Sequence, residues 1–282
     1  MLDIKEKLRV NANIVEEALD SYYNYSDFDY NELIEAQRYG LLGGGKRIRA
    51  FLTLEVCRIC SGDSMLALPY ACAIEMIHAS SLIHDDMPCM DDDDVRRGKP
   101  STHKKFGESV ALLAGDAMMT KAFDVIASDS VHSSQDNIKA LQILAQSTGD
   151  HGMLAGQMID VKAANQRLDF DTLVRLHRFK TGKLISASAK LGCIAAGISD
   201  DDDRYTALAD YADKVGLAFQ ILDDILDYKE GKRELNSFLS FMSVEEATKY
   251  ALELTNLGIA AISQYDDGTL TALAKYLIVR EY

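Results

Sequence analysis

Carboxylates at short helical spacing are the first chemistry this sequence offers. In SLIHDDMPCMDDDDVRRGKP, Asp85 and Asp86 are adjacent on a helical pattern, Pro88 interrupts it, and the resulting bulge returns Asp91 to the same side. In FQILDDILDYKE, Asp223 and Asp227 stand at i and i+4 and Asp224 and Asp227 at i and i+3, which stacks three carboxylates on one helical face. Like charges held this close destabilise a fold unless a cation compensates them, and hard oxygen donors beside a phosphate favour Mg²⁺. Both runs lie among apolar helix formers, so they open into a helical interior; the run Asp200–Asp203 in GISDDDDRY fits a solvated turn.

Cations accompany the acids. Lys46, Arg47 and Arg49 follow Gly43-Gly44-Gly45, and Arg96 and Arg97 follow the first acidic run. Glycine lets a backbone approach oxygen atoms closely and arginine offers a planar fork for bidentate contact, so a diphosphate would account for both groups. GGGK lacks the Ser/Thr of a P-loop and no strand precedes it.

The elements that must position these groups read as helices throughout. Three prolines in 282 residues, abundant Ala, Leu, Glu, Lys and Met, and no sustained polar/apolar alternation predict an all-α chain. Helical segments are expected near 3–21, 30–41, 46–60, 65–84, 107–127, 136–148, 151–160, 170–178, 180–197, 203–228, 243–264 and 267–280. No repeat and no Pro- or Ser-rich linker divides the chain, which predicts one domain over 1–282. ALLAGDAMMTKAF and KLISASAKLGCIAAGI are apolar around most of their circumference, as enclosed helices are, and imply a large bundle with a packed or hollowed centre.

A formal net charge of −14 excludes the broad basic surface that nucleic acid or an anionic membrane requires. No signal-like h-region and no transmembrane segment of 18 consecutive apolar residues occurs, so a soluble, cytoplasmic protein is expected. Five cysteines, an odd number in a long chain, fit reduced thiols; Cys57-x-x-Cys60 lies in an apolar helical pattern and is expected to pack in the core.

Taken in order, GGGKRIR, SLIHDDMPCMDDDDVRRGKPSTHKKFGESVALLAGD, GMLAGQMID, KTGKL and FQILDDILD closely resemble the bacterial short-chain trans-prenyl diphosphate synthases over about residues 40 to 228. The resemblance implies an isoprenoid-synthase bundle of helices around a deep cavity, assembled as a homodimer. It implies that isopentenyl diphosphate condenses with an allylic partner, dimethylallyl, geranyl or farnesyl diphosphate, to give farnesyl or geranylgeranyl diphosphate. By the same resemblance, Asp85, Asp86 and Asp91 with Asp223, Asp224 and Asp227 hold three Mg²⁺ ions when diphosphate is bound. Lys46, Arg49, His78 and Arg97 match positions that hold isopentenyl diphosphate, Arg96 and Lys180 positions that grip the allylic diphosphate, and Thr181 and Gln220 positions beside the allylic carbon. The residue types suit that chemistry: metal and cationic side chains stabilise a departing diphosphate, and no side-chain nucleophile is needed.

Two features bear on what such a protein would make. Ser80 and Ser81 stand one turn before Asp85, where similar farnesyl diphosphate synthases commonly carry an aromatic floor five residues before the first Asp, so Ser80 predicts a longer tail cavity and geranylgeranyl diphosphate. Met76, Ile77 or Met118 would then form a lower floor. After Asp227, YKEGKRELNSFLSFMSVEEA is shorter than the family's loop, and Lys232 stands in for one of its lysines. Against the main rivals, DDILD differs from the second metal motif of class I terpene cyclases, the chain has no Trp to line a cyclisation cavity, and intact acidic runs argue against a noncatalytic regulatory subunit. DDMPCMDDDDVRRG also lacks the spacing of an EF-hand loop.

Overall fold

The computed structural model describes residues 3–24, 29–232 and 234–278. Among them are thirteen α-helices: α1 (Ile4–Ser21), α2 (Asn31–Leu41), α3 (Ile48–Ser61), α4 (Leu68–Asp85), α5 (Thr102–Phe106), α6 (Glu108–Ala127), α7 (Ser134–Thr148), α8 (Met153–Ala163), α9 (Phe170–His177), α10 (Lys183–Ala195), α11 (Asp203–Lys229), α12 (Val244–Ile262) and α13 (Thr269–Ile278). The all-α expectation holds, and the expected segments correspond to observed helices with ends shifted by a few residues. The end expected at 280 lies outside the described residues.

Two details were not foreseen. Residues 95–106, outside the expected helical segments, contain the one-turn helix α5 and a two-stranded ribbon, β1 (Val95–Arg96) antiparallel to β2 (Lys99–Pro100). The ribbon turns at Arg97 and Gly98, both in the left-handed region, and folds the RRG segment back toward the end of α4. Between α9 and α10 the helix continues through a π-helical turn, Arg178–Gly182, instead of breaking.

α4 is the axis of the bundle. Eleven of its eighteen residues are buried, Ile74, Met76 and Ile77 among them, and its sides meet α3, α6 and α10. Together with the preceding turn it forms Ser64–Asp85, the one stretch among the described residues long and apolar enough to cross a membrane; here most of it lies inside the fold. Glycines permit the closest approaches: a Cβ at Gly192 on α10 would meet the Thr53 carbonyl of α3 at 2.5 Å, and one at Gly156 on α8 would meet the Lys180 backbone nitrogen at 2.2 Å. α3 and α10 therefore pack backbone to backbone, and α8 holds the π turn in place.

Candidate active site

Helical periodicity on α4 decides which side chains share a cavity. His78, Ser81, Leu82 and Asp85 fall at i, i+3, i+4 and i+7, and all four line an apolar cavity of about 320 Å³ with Met90, Met119, Met153 and Leu154. Ala79, Ile83 and Asp86 occupy the next stripe and line a different pocket. Asp86 is thus turned away from Asp85: it is 2% exposed and accepts hydrogen bonds from the Arg96 guanidinium, Nε at 2.8 Å. The expected convergence of three carboxylates reduces here to Asp85 and Asp91, brought together because the Asp91 amide caps the Asp85 carbonyl at 2.9 Å in the turn that Pro88 opens.

The same rule places the second acidic run. Gln220, Asp223, Asp224 and Asp227 form one i, i+3, i+4, i+7 stripe on α11 and face an open cavity of about 850 Å³, across from Asp85 and Asp91. Its lining also holds Asp160 of α8, Glu230 and Glu234, making eight carboxylates against Arg96, Lys180 and Lys232. Thr181, beside Lys180 in the π turn, completes the wall. Asp160, Glu234, Asn236 and His177 were missed by the sequence reading. QMID and ELNS carry no spacing signal of their own, and these residues meet only because α8, α9 and the segment after α11 fold over one opening.

The electrostatics follow from crowding acids in a poorly hydrated space. Burial pushes Asp85 up to about 6, with Asp91 and Asp86 adding repulsion and Lys180 and Arg96 opposing it. Burial likewise pushes Asp224 up to about 7, although the Phe238 amide donates to its Oδ2 at 2.7 Å. Burial disfavours a charged Lys180, but Asp160 at 2.5 Å, with Asp85 and Asp91, outweighs it and holds the ammonium above its ordinary range. His177, stacked on Phe238 at 5.1 Å, is driven down to about 4 by burial and stays neutral. The short segment after α11 is fastened over this opening: Lys232 pairs with Asp227 at 2.7 Å, and Asn236 donates to the carbonyls of Ala163 at 2.9 Å and Gln166 at 3.0 Å.

A carboxylate excess of this kind, raised toward neutral pH by burial, fits a hard divalent cation with oxygen ligands. A tighter acidic grouping lies just beyond it, where Asp92, Asp94 and His103 bring ligand atoms within 4.8 Å of one another outside the lining of the open cavity. There Lys104 pairs with Asp94 at 2.7 Å and Ser101 holds the His103 Nδ1 at 3.1 Å.

Basic residues gather separately. Lys46, Arg49, His78 and Arg97 line a third cavity, about 110 Å³, whose far wall is apolar: Leu52, Ile185, Val215, Phe219, Leu273 and Leu277. Left-handed residues at Gly44, Gly45 and Arg47 bend the GGGK segment around it, and Arg97 Nη1 donates to the Gly44 carbonyl. Arg47 lines this cavity too, but its guanidinium is committed elsewhere. It is 4% exposed, donates to the Leu41 carbonyl at 2.5 Å and pairs with Glu16 at 3.1 Å and Glu75 at 3.4 Å, so it holds α1, α2 and α4 together. Burial lowers Arg49 and Arg97, and drives His78 well below its ordinary value with the surrounding arginines adding to the effect. Glu75 is the one carboxylate in that lining, and the excess of positive charge suits an anionic ligand.

The apolar cavity borders the other two. It shares Arg49 and His78 with the basic cavity and Asp85, Lys180 and Thr181 with the acidic one. Ser81 lines it; Ser80 does not, being fully buried with its hydroxyl on the Ile77 carbonyl at 2.8 Å. Position 81 stands four residues before Asp85 and shares its face, whereas position 80 is rotated off it.

An all-α bundle with an acidic, a basic and an apolar cavity side by side suits an enzyme that handles anionic, apolar-tailed substrates. Residues 30–238 match the family model described as polyprenyl synthetase. The chain is 37% identical over 299 aligned positions to a farnesyl diphosphate synthase of Escherichia coli, covering 99% of each. It is 38% identical to the Arabidopsis thaliana protein named heterodimeric geranylgeranyl pyrophosphate synthase large subunit 1, covering 99% of this chain and 80% of that one. A solved FPP/GFPP synthase from Zymomonas mobilis superposes with a TM-score of 0.90 at 36% identity, over 98% and 99% of the two chains. The chain belongs to the polyprenyl synthetase family and is a short-chain prenyltransferase.

Proposed function

We propose that this prenyltransferase couples isopentenyl diphosphate to an allylic diphosphate, dimethylallyl, geranyl or farnesyl, and releases a linear farnesyl or geranylgeranyl diphosphate. The observation that carries this is the shared lining of the three cavities: an acidic site and a basic site flank one apolar space and share wall residues with it. Two diphosphates can be held apart while their hydrocarbon ends meet.

In the acidic cavity Asp85, Asp91, Asp223, Asp224 and Asp227 hold Mg²⁺, three ions when diphosphate is bound, with Asp86 acting in that set through Arg96. Bound there, Mg²⁺ supplies charge stabilisation to the departing diphosphate. Lys180 and Arg96 donate hydrogen bonds to the allylic diphosphate oxygens, which lets the allylic C–O bond ionise. Thr181 and Gln220 present oxygens to the allylic carbon, stabilising positive charge without forming a bond. In the basic cavity Lys46, Arg49, Arg97 and the neutral His78 bind isopentenyl diphosphate directly and aim its double bond at that carbon. The released diphosphate is the base for the final proton. Met90, Met119 and Met153 around the apolar cavity keep water from the cation.

The chain acts as one domain: α1 contributes Leu8 and α13 contributes Leu273 and Leu277 to one apolar cluster with α3, α10 and α11. Apolar side chains left exposed on α6, Leu112 and Leu113, and on α8, Leu154, Met158 and Val161, support a homodimer. Cysteines present as free thiols support a cytoplasmic location. The test is elongation of dimethylallyl, geranyl and farnesyl diphosphate by the purified chain with Mg²⁺ and isopentenyl diphosphate, resolved by product length. Linear products that vanish in Asp85→Ala are expected. Substrate binding without any product would overturn the proposal.

A further inference from the structure

α3 and α10 run in parallel away from the cavities. Arg49, in the first turn of α3, and Leu184, in the first turn of α10, both line the apolar cavity. Farther along, Gly192 packs on Thr53 and Val56. One turn beyond Val56 lies Cys60, which packs against the apolar cluster that holds Val56 and Cys193, the residue after Gly192, and the two thiols interact there, where both helices end. Cys193 is fully buried and Cys60 is half-buried, within reach of solvent.

We propose that Cys60 is a site of thiol–disulfide exchange with a low-molecular-weight disulfide, and that Cys193 resolves the adduct into a Cys60–Cys193 bond tying α3 to α10. In the first step the Cys60 thiolate attacks one sulfur of glutathione disulfide; the glutathione S–S bond breaks and one glutathione thiolate leaves. In the second, the Cys193 thiol gives up its proton and attacks the Cys60 sulfur, expelling the second glutathione. Two protein thiols are oxidised and one disulfide is reduced to two thiols, so electrons and protons balance.

The surroundings assign the roles. The Cys193 S–H directed at Cys60, and the Arg204 guanidinium near it, lower the Cys60 thiol against burial and Asp202. The same contact raises Cys193, which keeps its proton until the adduct forms. Cys57, the other half of the C-x-x-C, is not the partner: its thiol is occupied by the Asp63 carbonyl at 3.2 Å and by Ser61, and burial pushes it up to about 11. Cys72 is buried in the core and raised by desolvation. Cys89 is exposed on the turn after α4 and serves as the internal control for reactivity by exposure alone.

The experiment uses the whole reduced chain, incubated anaerobically with glutathione disulfide, then alkylated and mapped by peptide mass spectrometry. Leaving aside adducts at Cys89, the expected result is loss of the Cys60 and Cys193 thiols from the five present, with a peptide cross-linked through those two residues. Cys193→Ser should halt at a glutathione adduct on Cys60. A wild-type chain whose Cys60 and Cys193 both remain alkylatable while Cys89 is consumed overturns the proposal, as does a glutathione adduct on Cys60 that Cys193 never displaces.

Discussion

On the proposed reading, the acidic and basic cavities hold a diphosphate in opposite ways. The acidic cavity is lined by eight carboxylates and is open, about 850 Å³; the basic one is lined by Lys46, Arg49, His78 and Arg97 and is small, about 110 Å³. On that reading an anion enters the first only with metal cations and enters the second directly. The difference suits the two substrates, because a leaving diphosphate must be stabilised as its charge grows, whereas a diphosphate that stays attached to product needs only to be held. Both cavities draw on the same two helices. On α4, Asp85 and His78 stand two turns apart on one stripe; on α11, Tyr211, Val215 and Phe219 face the basic cavity and Gln220, Asp223, Asp224 and Asp227 the acidic one.

The largest expected effect breaks that division at its acidic end. Asp85→Ala and Asp223→Ala should each lower kcat by on the order of 10³-fold, about 4 kcal/mol of lost leaving-group stabilisation, and raise the Mg²⁺ concentration at half-maximal rate. Steady-state kinetics across a Mg²⁺ series checks both. At the basic end, Lys46→Ala should raise KM for isopentenyl diphosphate about tenfold to a hundredfold, the range of a lost charged hydrogen bond, with little change in Mg²⁺ dependence. If Lys46→Ala shifts the Mg²⁺ series instead, the two cavities do not divide the substrates.

A third, smaller effect sharpens the comparison through pH. Asp224 sits at about 7 against an ordinary 3.8, so the folded protein retains a proton that the unfolded chain has released, and metal-free stability falls as pH rises between those values. His78 is lowered well below 6.5, so the unfolded chain takes up a proton that the fold refuses, and stability falls as pH drops below 6.5. Relative to wild type, metal-free Asp224→Asn should therefore gain stability from pH 5 to pH 8, and His78→Gln from pH 7 to pH 5. Thermal melts at those pH values would show the two trends crossing; parallel trends would refute the assigned environments.

What the sequence disclosed were properties of single helices. The i, i+3, i+4, i+7 stripe of Gln220, Asp223, Asp224 and Asp227 is legible because it depends only on the pitch of α11. What it withheld depends on where a neighbour lies. Arg47 reads as a phosphate ligand beside Lys46, yet its left-handed backbone turns the guanidinium into a buried pair with Glu75. Asp86 reads as the twin of Asp85 but sits 100° around a helix that ends there, and so meets Arg96. Asp160 and Glu234 reach the acidic cavity from α8 and from the segment after α11. The Cys60–Cys193 contact joins two helices over 130 positions apart in the chain, with no spacing to betray it.

The smallest effect concerns product length and turns on one residue of register. Ser80, five before Asp85, was expected to leave the tail cavity without a floor, but its side chain is buried away from that cavity. Ser81 lines it opposite Met119 and Leu154. Met119 lines this space, while Met118, one of the expected lower floors, is turned into the core. Ser81→Phe would thus place a ring in the path of a growing tail and shorten the mean product by one isoprene unit, with the rate of the first condensation nearly unchanged. Ser80→Tyr would overpack α4 at a cost of about 1–3 kcal/mol and lower the melting temperature, while altering product length less. Chromatography of products from both variants, with a thermal melt of each, separates the two positions. A shorter product from Ser80→Tyr and none from Ser81→Phe would mean that α4 rotates when substrate binds, bringing position 80 onto the stripe that Asp85 now shares with position 81.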